Sequence, residues 1–439
     1  MIAEAPVDQR QHVLPPHSMA VAAFSTIVEW YDFTLYLYFA TVLSRVFFGG
    51  GAQSLLITLG GFAIAYLMRP LGAIVFGHIG DSRGRRRMML MSVALMTAAM
   101  LATALLPTRA EVGPAAGWLL LFLRCVMGFS VGGEYTGVVA YLLEGARPGR
   151  RGLITSSASA ASEVGGLLAV GVSALTVSML SSADLDRWGW RIPFFFGAAL
   201  AASVCIARST MHESPEFRRQ QDEGTVPELP LRHALGNHRS GIARAFSISA
   251  LGSITYYVGI TYVPAFLTST GSMSERESLW LSTIAAVAVI LITPITGALS
   301  DKIGRKPVLI GLCVGSAALP ITMFSLMASS AWNDALIGAV ILAALAGAVS
   351  AVGAVATAEQ FPGEGRVTGL ALSATMATAV FGGLTPYAAQ LLVQFTGWAF
   401  APGAMIAIVA LCVLPVLLTL RETAPKGEFD SAVSARPSP

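Results

Sequence analysis

Charge is what this sequence has least of: Asp, Glu, Lys and Arg make up 12% of its 439 residues, against about 25% in an ordinary soluble domain. With 54% hydrophobic residues and a mean hydropathy of +0.67, most of the chain must sit in lipid. The net charge is only +3, and the basic residues lie between apolar stretches rather than in one block. That excludes a nucleic-acid footprint, and with it a nucleic-acid partner. Four cysteines, Cys125, Cys205, Cys313 and Cys412, fall inside apolar stretches without metal or redox spacing, and they read as buried and inert. The six histidines, His12, His17, His78, His212, His233 and His238, all lie in tails, loops or the central linker. No intramembrane metal site or Ser/His nucleophile can be assembled from them, which speaks against a membrane-embedded enzyme. Rings of charge and filter repeats are also missing, which speaks against a pore. The first 17 residues lack the basic start, apolar stretch and small-residue cleavage site of a secretory signal, so the first hydrophobic segment is expected to be retained.

What the chain has in quantity is apolar runs of the ~20 residues that a helix needs to cross the hydrocarbon. Twelve spans are expected near 19–43, 55–77, 88–107, 117–143, 153–178, 191–207, 245–268, 279–299, 307–328, 334–357, 367–393 and 398–420. The expected fold class is therefore an all-α integral membrane protein of twelve transmembrane helices in two pseudo-symmetric six-helix bundles. The domains are expected to be an N-terminal tail 1–18, a first bundle 19–207, a linker 208–244, a second bundle 245–420 and a tail 421–439. Basic residues mark one side: Arg83, Arg85, Arg86, Arg87, Arg147, Arg150, Arg151, the linker arginines, Lys302, Arg305, Lys306 and Arg366. Cytoplasmic loops carry the excess of Lys and Arg, so both termini and the linker are expected to be cytoplasmic.

The halves repeat one another, as in transporters built from related units. Gly77-His-Ile-Gly-Asp81-Ser-Arg-Gly84-Arg85-Arg86-Arg87 follows span 2, and Gly297-Ala-Leu-Ser-Asp301-Lys-Ile-Gly304-Arg305-Lys306-Pro307 follows span 8. Glu144 stands seven residues before Arg151, and Glu359 seven before Arg366.

These two loops resemble the signature loop of the major facilitator superfamily. Glu29-Trp30-Tyr31-Asp32-Phe33, Arg69-Pro70-Leu71-Gly72-Ala73, Gly132-Gly133-Glu134 and Trp188-Gly189-Trp190-Arg191-Ile192-Pro193-Phe194 narrow the resemblance to its metabolite:proton symporter branch. That branch includes citrate, alpha-ketoglutarate, shikimate and proline/betaine carriers. Phe381-Gly382-Gly383-Leu384-Thr385-Pro386 and the Ser156–Val164 stretch look closest to the citrate type. One departure is Met127, where the branch commonly has Gln three residues after the span 4 arginine. The resemblance implies a major facilitator fold in a bacterial inner membrane, proton-driven uptake by alternating access, and no cofactor beyond the proton gradient. The expected partners are a small-molecule substrate, H+ and the bilayer, with no obligate protein partner.

A charge at the bilayer centre costs at least about 2.5 kcal/mol, so each intramembrane ionisable residue is a functional candidate. They are Glu29 and Asp32 in span 1, Arg69 in span 2, Arg124 and Glu134 in span 4, and Glu163 in span 5. At 1.5 Å per residue, Asp32 lies roughly 20 Å from its helix end and Arg124 roughly 28 Å. Asp32 is the expected proton-coupling carboxylate, with Glu29 and Glu134 as further candidates, because a mobile arginine partner switches a carboxyl's proton affinity. A permanent Asp32–Arg124 pair holding two helices is the bland alternative. Arg124 and Arg69 are the expected substrate ligands, since Arg captures carboxylates bidentately; an Arg69–Glu134 structural pair is weighed equally. Glu163 either lines the cavity or sits in a stretch of small residues made for close helix packing. Tyr256, Tyr257 and Tyr262 in span 7, with Thr385 in span 11, would complete the substrate site with hydrogen-bond donors. Packing or lipid-interface roles are the alternative for each tyrosine. Gly382-Gly383 and Pro386 mark a bend. Asp81, Arg85, Glu144, Arg151, Asp301, Arg305, Glu359 and Arg366 are expected to form a cytoplasmic gate of ion pairs that close and break, with mere topology signalling as the alternative.

The favoured substrate is a carboxylate such as citrate or another di- or tricarboxylate. A zwitterionic osmolyte such as proline or betaine is the alternative, although the tail after Arg421 is too short and too proline-rich for a heptad helix. The branch motifs and buried arginines speak against a drug exporter.

Overall fold

The computed structural model describes residues 15–424 except 51, 148, 227–229, 271–272, 274, 330 and 364. The expected linker, at 227–229, and both expected tails therefore fall partly outside the described residues. The described residues form twelve spans. In the first half they are α1 (Pro16–Tyr38, continued by Ala40–Phe48), α2 (Ala52–Arg83), α3 (Arg85–Ala104), α4 (Ala115–Ser130, continued by Glu134–Gly145), α5 (Arg151–Met179) and α6 (Arg191–Ser209). In the second half they are α7 (Arg239–Tyr256, a π turn Tyr257–Thr261, then Val263–Ser269), α8 (Glu275–Ile303), α9 (Arg305–Met327), α10 (Trp332–Ala358), α11 (Arg366–Thr378, a π turn Ala379–Gly383, then Thr385–Thr396) and α12 (Ala401–Leu418). Among the described residues, nine helices are individually long and apolar enough to cross a membrane. Apolar side chains such as Leu67, Leu71, Phe122, Leu291, Ile295 and Leu411 point outward, as lipid contact requires.

The helices extend beyond their apolar runs. α2 runs on to Arg83 and stops only at Gly84, because a helix leaving lipid can continue with its polar face in water. Between the bundles lie two short helices, Pro215–Glu223 and Pro230–Asn237, and α6 keeps Arg208 inside its last turn.

Both π turns have a covalent cause. Pro264 has no N–H to give Ile260, and Pro386 has none to give Gly382. In α7 the Tyr262 N–H reaches back five residues to the Tyr257 carbonyl at 2.9 Å. In α11 the Thr385 hydroxyl donates to the Phe381 and Gly382 carbonyls at 2.8 and 3.2 Å.

The halves meet backbone to backbone on the side that carries the arginine-rich loops. A Cβ on Gly152 of α5 would stand 2.4 Å from the Gly297 carbonyl of α8, and one on Gly297 would stand 2.5 Å from the Gly152 carbonyl. The matching contact sets Gly77 of α2 against Thr368 of α11, where a Cβ would come within 2.8 Å of the Thr368 Cα. Small residues allow this approach, and the resulting van der Waals contact is what drives helix association in lipid.

Candidate functional site

Between the halves lies a cavity of ≈ 170 Å³ lined by α1, α2, α4, α5, α7, α10 and α11. Three charged side chains reach it: Glu29, Arg69 and Glu163. Arg69 donates to Glu29 Oε1 at 3.4 Å, a long single contact. Its guanidinium lies over the Phe33 ring at 4.1 Å and the Tyr66 ring at 4.5 Å, a stacking that suits arginine and leaves its edges for ligands. Arg69 Nε, Glu29 Oε2 and Trp30 Nε1 are buried without a hydrogen-bond partner among the described residues. Buried polar atoms are normally satisfied, and these three, on residues that line the cavity, are left over.

The second half contributes two tyrosines, both held by bonds that cross between bundles. Tyr256 donates to Glu163 Oε1 at 2.7 Å. The Tyr257 and Tyr66 hydroxyls are 2.7 Å apart. The Trp30 ring stands edge-on to Tyr256 at 5.2 Å. Thr385 is spent on carbonyls of its own helix and does not line the cavity, and Tyr262 donates to Gln390 instead.

Asp32 and Arg124 meet outside the cavity lining. The guanidinium donates to both carboxylate oxygens, at 2.7 and 3.3 Å, and the residues are 0% and 3% exposed. Tyr36 supplies an aromatic face 5.0 Å from the Arg124 guanidinium, and Arg124 Nε is left without a hydrogen bond among the described residues.

Glu134 does not pair with Arg69. It bonds Arg208 and Ser92, and Arg208 also donates to Ser25 and, at 2.6 Å, to the Met89 carbonyl. This knot ties α1, α3, α4 and α6 together. Arg208 falls in the expected linker because the apolar run ends before it. The helix runs two residues past that point, to Ser209, and so keeps it in the bundle.

On the arginine-rich face the two signature loops each send an aspartate across the seam. Asp81 accepts the Val367 and Thr368 N–H groups at 3.2 and 2.8 Å, and Asp301 accepts those of Gly152 and Leu153 at 2.8 and 2.9 Å. These are the first free amides of α11 and α5, where an anion meets both unsatisfied donors and the positive end of the helix dipole. Behind them Arg85 contacts Asp81 at 3.4 Å and Glu144 at 3.2 Å, while Arg305 contacts Asp301 at 2.8 Å and Glu359 at 3.4 Å. Arg366 crosses the seam to Glu144 at 2.9 Å. Its repeat partner Arg151 leaves Nε unbonded among the described residues.

Two further acids were missed from sequence. Glu213 accepts the N–H groups of Arg85 and Arg86, and Glu422 those of Arg305 and Lys306. Gly84 and Gly304 adopt φ of +103° and +116°, and a Cβ there would stand 2.2 and 2.5 Å from the Glu213 and Glu422 carboxylates. A signal was available: His212-Glu213-Ser214-Pro215 after span 6 and Arg421-Glu422-Thr423-Ala424-Pro425 after span 12 are a third repeated pair.

Residues 18–225 match the family model described as sugar (and other) transporter, and residues 245–439 match that of the major facilitator superfamily. The alpha-ketoglutarate permease of Escherichia coli K12 is 35% identical over 84% of this chain and 86% of its own length. The citrate-proton symporter of Klebsiella pneumoniae is 31% identical over 88% and 87%, and the proline/betaine transporter of Salmonella typhimurium LT2 is 29% identical over 93% and 83%. Among solved structures, the proton:xylose symporter XylE bound to 6-bromo-6-deoxy-D-glucose superposes with a TM-score of 0.75 at 19% identity, over 93% of this chain and 96% of that one, and so shares the fold. The relatives are permeases and symporters, so this chain is a transporter and not an enzyme. It belongs to the major facilitator superfamily, in the branch of metabolite:proton symporters.

Proposed function

We propose that the protein takes up a small carboxylate, a di- or tricarboxylate such as citrate, together with protons by alternating access. The membrane in this reading is a bacterial inner membrane with the arginine-rich face toward the cytoplasm. The observation that carries it is Arg69 in the cavity wall, held by one long contact and keeping an unbonded Nε. A solute carboxylate that takes the Arg69 fork in place of Glu29 makes the shorter, paired hydrogen bonds that such ions favour. The names of two relatives, an alpha-ketoglutarate permease and a citrate-proton symporter, support the same class.

Asp32 is the coupling acid in this scheme. Ionised, it holds Arg124 in a fork-to-fork pair; protonated, it releases the guanidinium, and breaking a buried pair is a large energetic event. The gate is the Asp81 and Asp301 contacts, which shut one face while the cavity loads from the other.

A second reading, an osmolyte symporter, is favoured by one observation. Trp30, Tyr256 and Tyr257 stand beside Glu163 and Glu29, and aromatic faces with a carboxylate suit a quaternary ammonium. Proteoliposomes with an imposed pH gradient separate the two. Labelled citrate or alpha-ketoglutarate should accumulate, and Asp32→Asn should abolish accumulation. Accumulation of labelled proline or betaine alone would replace the carboxylate reading with the osmolyte one.

A further inference from the structure

Glu163 stands apart from the other carboxyls inside the spans of the first bundle. It sits on α5, is 8% exposed, and lines the cavity. Glu29 has Arg69, Asp32 has Arg124 and Glu134 has Arg208, whereas Glu163 forms no ion pair among the described residues. Its one hydrogen bond comes from Tyr256, a neutral donor on the other bundle. The titratable groups around it are Glu29 on α1, Arg69 on α2, Tyr135 on α4, and Tyr256 and Tyr257 on α7. Of the other helices packed on α5, α10 lines the cavity with neutral residues, and α6 and α8 do not line it. The single cation, Arg69, already faces Glu29.

An ionised carboxyl in that position would be a buried, uncompensated charge, and it would repel an anionic solute in the same small cavity. We infer that Glu163 carries a transported proton of its own, in addition to any proton on Asp32. This rests on the reading of the chain as a carboxylate:proton symporter. Loaded, the acid receives the Tyr256 hydroxyl on Oε1, and its own O–H on the other oxygen is free to donate to the solute carboxylate. When the bundles rock, the bond from α5 to α7 parts and water enters from the opposite face. The O–H bond then breaks heterolytically, the proton passes to water, and Glu163 is left as the carboxylate until the cavity faces outward again. Until it parts, the Tyr256 bond works against the proton, because a donor to a carboxylate favours its ionised form.

The test counts protons. Proteoliposomes containing a trapped pH dye are given labelled alpha-ketoglutarate, and wild type is compared with Glu163→Gln and Tyr256→Phe. In Glu163→Gln the protons taken up per solute should fall by one. With voltage clamped at zero and a gradient of one pH unit, steady-state accumulation should fall about tenfold, the equilibrium factor for one proton. An unchanged proton count in that variant overturns the inference. Tyr256→Phe keeps the carboxyl and removes the bond, so the pH at which uptake declines should move to the alkaline side; an unmoved profile also overturns it. If labelled proline is carried and alpha-ketoglutarate is not, the carboxylate reading fails, and the same count on labelled proline still decides Glu163.

Discussion

The two signature loops are near copies in sequence and unequal in structure. In the first, Asp81 and Arg85 are fully buried, and Glu144 is shared between Arg85 and the seam-crossing Arg366. In the second, the Asp301 side chain is 5% exposed, its Leu153 bond lies at the surface, and Glu359 bonds Thr423 within its own half. Repeat symmetry supplies both loops with the same residues, but among the described residues only the first has a complete ion-pair bridge between halves. The α2–α11 seam is therefore expected to be the tighter hinge and the α5–α8 seam the one that yields first.

The largest expected effect comes from the aspartates. Asp81→Asn leaves Arg85 short of a counter-charge in a buried site and should cost the shut state about 3 kcal/mol; Asp301→Asn, nearer water, should cost about half of that. The readout is labelling of a cysteine at Ser350, in a cysteine-free background, by an impermeant reagent applied to the arginine-rich face. Equal labelling in the two variants would erase the asymmetry.

Next in size, Gly84→Ala and Gly304→Ala should each lower stability by about 2 kcal/mol, because φ of +103° and +116° with ψ of 150° and 155° is a backbone essentially confined to glycine. Similar melting shifts are expected for both, because both turns are alike. A large inequality would show that the backbone turns, rather than the ion pairs, differ between the repeats.

Arg366→Ala should then raise labelling at Ser350 by a factor corresponding to about 1 kcal/mol, while Arg151→Ala should leave it within twofold. If Arg151→Ala opens the face as much as Arg366→Ala, the second bridge forms in the membrane and the comparison collapses.

The smallest effect concerns pH and has opposite signs in the two halves. Burial pushes Glu213 above its usual value despite the amides of Ser214 and Arg86 and the Arg85 charge. Burial also acts upward on Glu422, but the amides of Ala424, Arg305, Lys306 and Thr423 outweigh it and hold that carboxyl low. A lowered acid contributes stability above the ordinary value of 4.5, lost as pH falls through its folded value. A raised acid contributes most below 4.5 and loses that contribution as pH rises. The melting-temperature gap between wild type and Glu422→Gln should shrink on acidification below about 4.5, and the gap for Glu213→Gln should shrink in the other direction. Parallel pH curves would refute the difference.

Much of this molecule was legible before any coordinate. Runs of ~20 apolar residues admit no folded form in lipid but helices, and the recurrence of Asp81 at Asp301 and of Glu144 at Glu359 declared the two-bundle repeat. The six intramembrane charges were equally visible, since each is too costly to be incidental. Only Asp32 with Arg124 was legible as a pair; the partners of Glu29, Glu134 and Arg69 were not. A span's sequence leaves its rotation and tilt open, and two more residues of α6 bring Arg208 to Glu134 and leave Arg69 to Glu29. The partition of the acids was hidden for the same reason: Asp32 and Arg124 close on each other outside the cavity while Glu29 and Glu163 face into it. Sequence alone determined that the chain crosses a membrane twelve times and carries its charges in repeated loops, because solvent imposes both. The tertiary structure decided which acid meets which arginine and which one is left with only a hydroxyl, because ion pairs depend on contacts of 3 to 4 Å that only packed helices define.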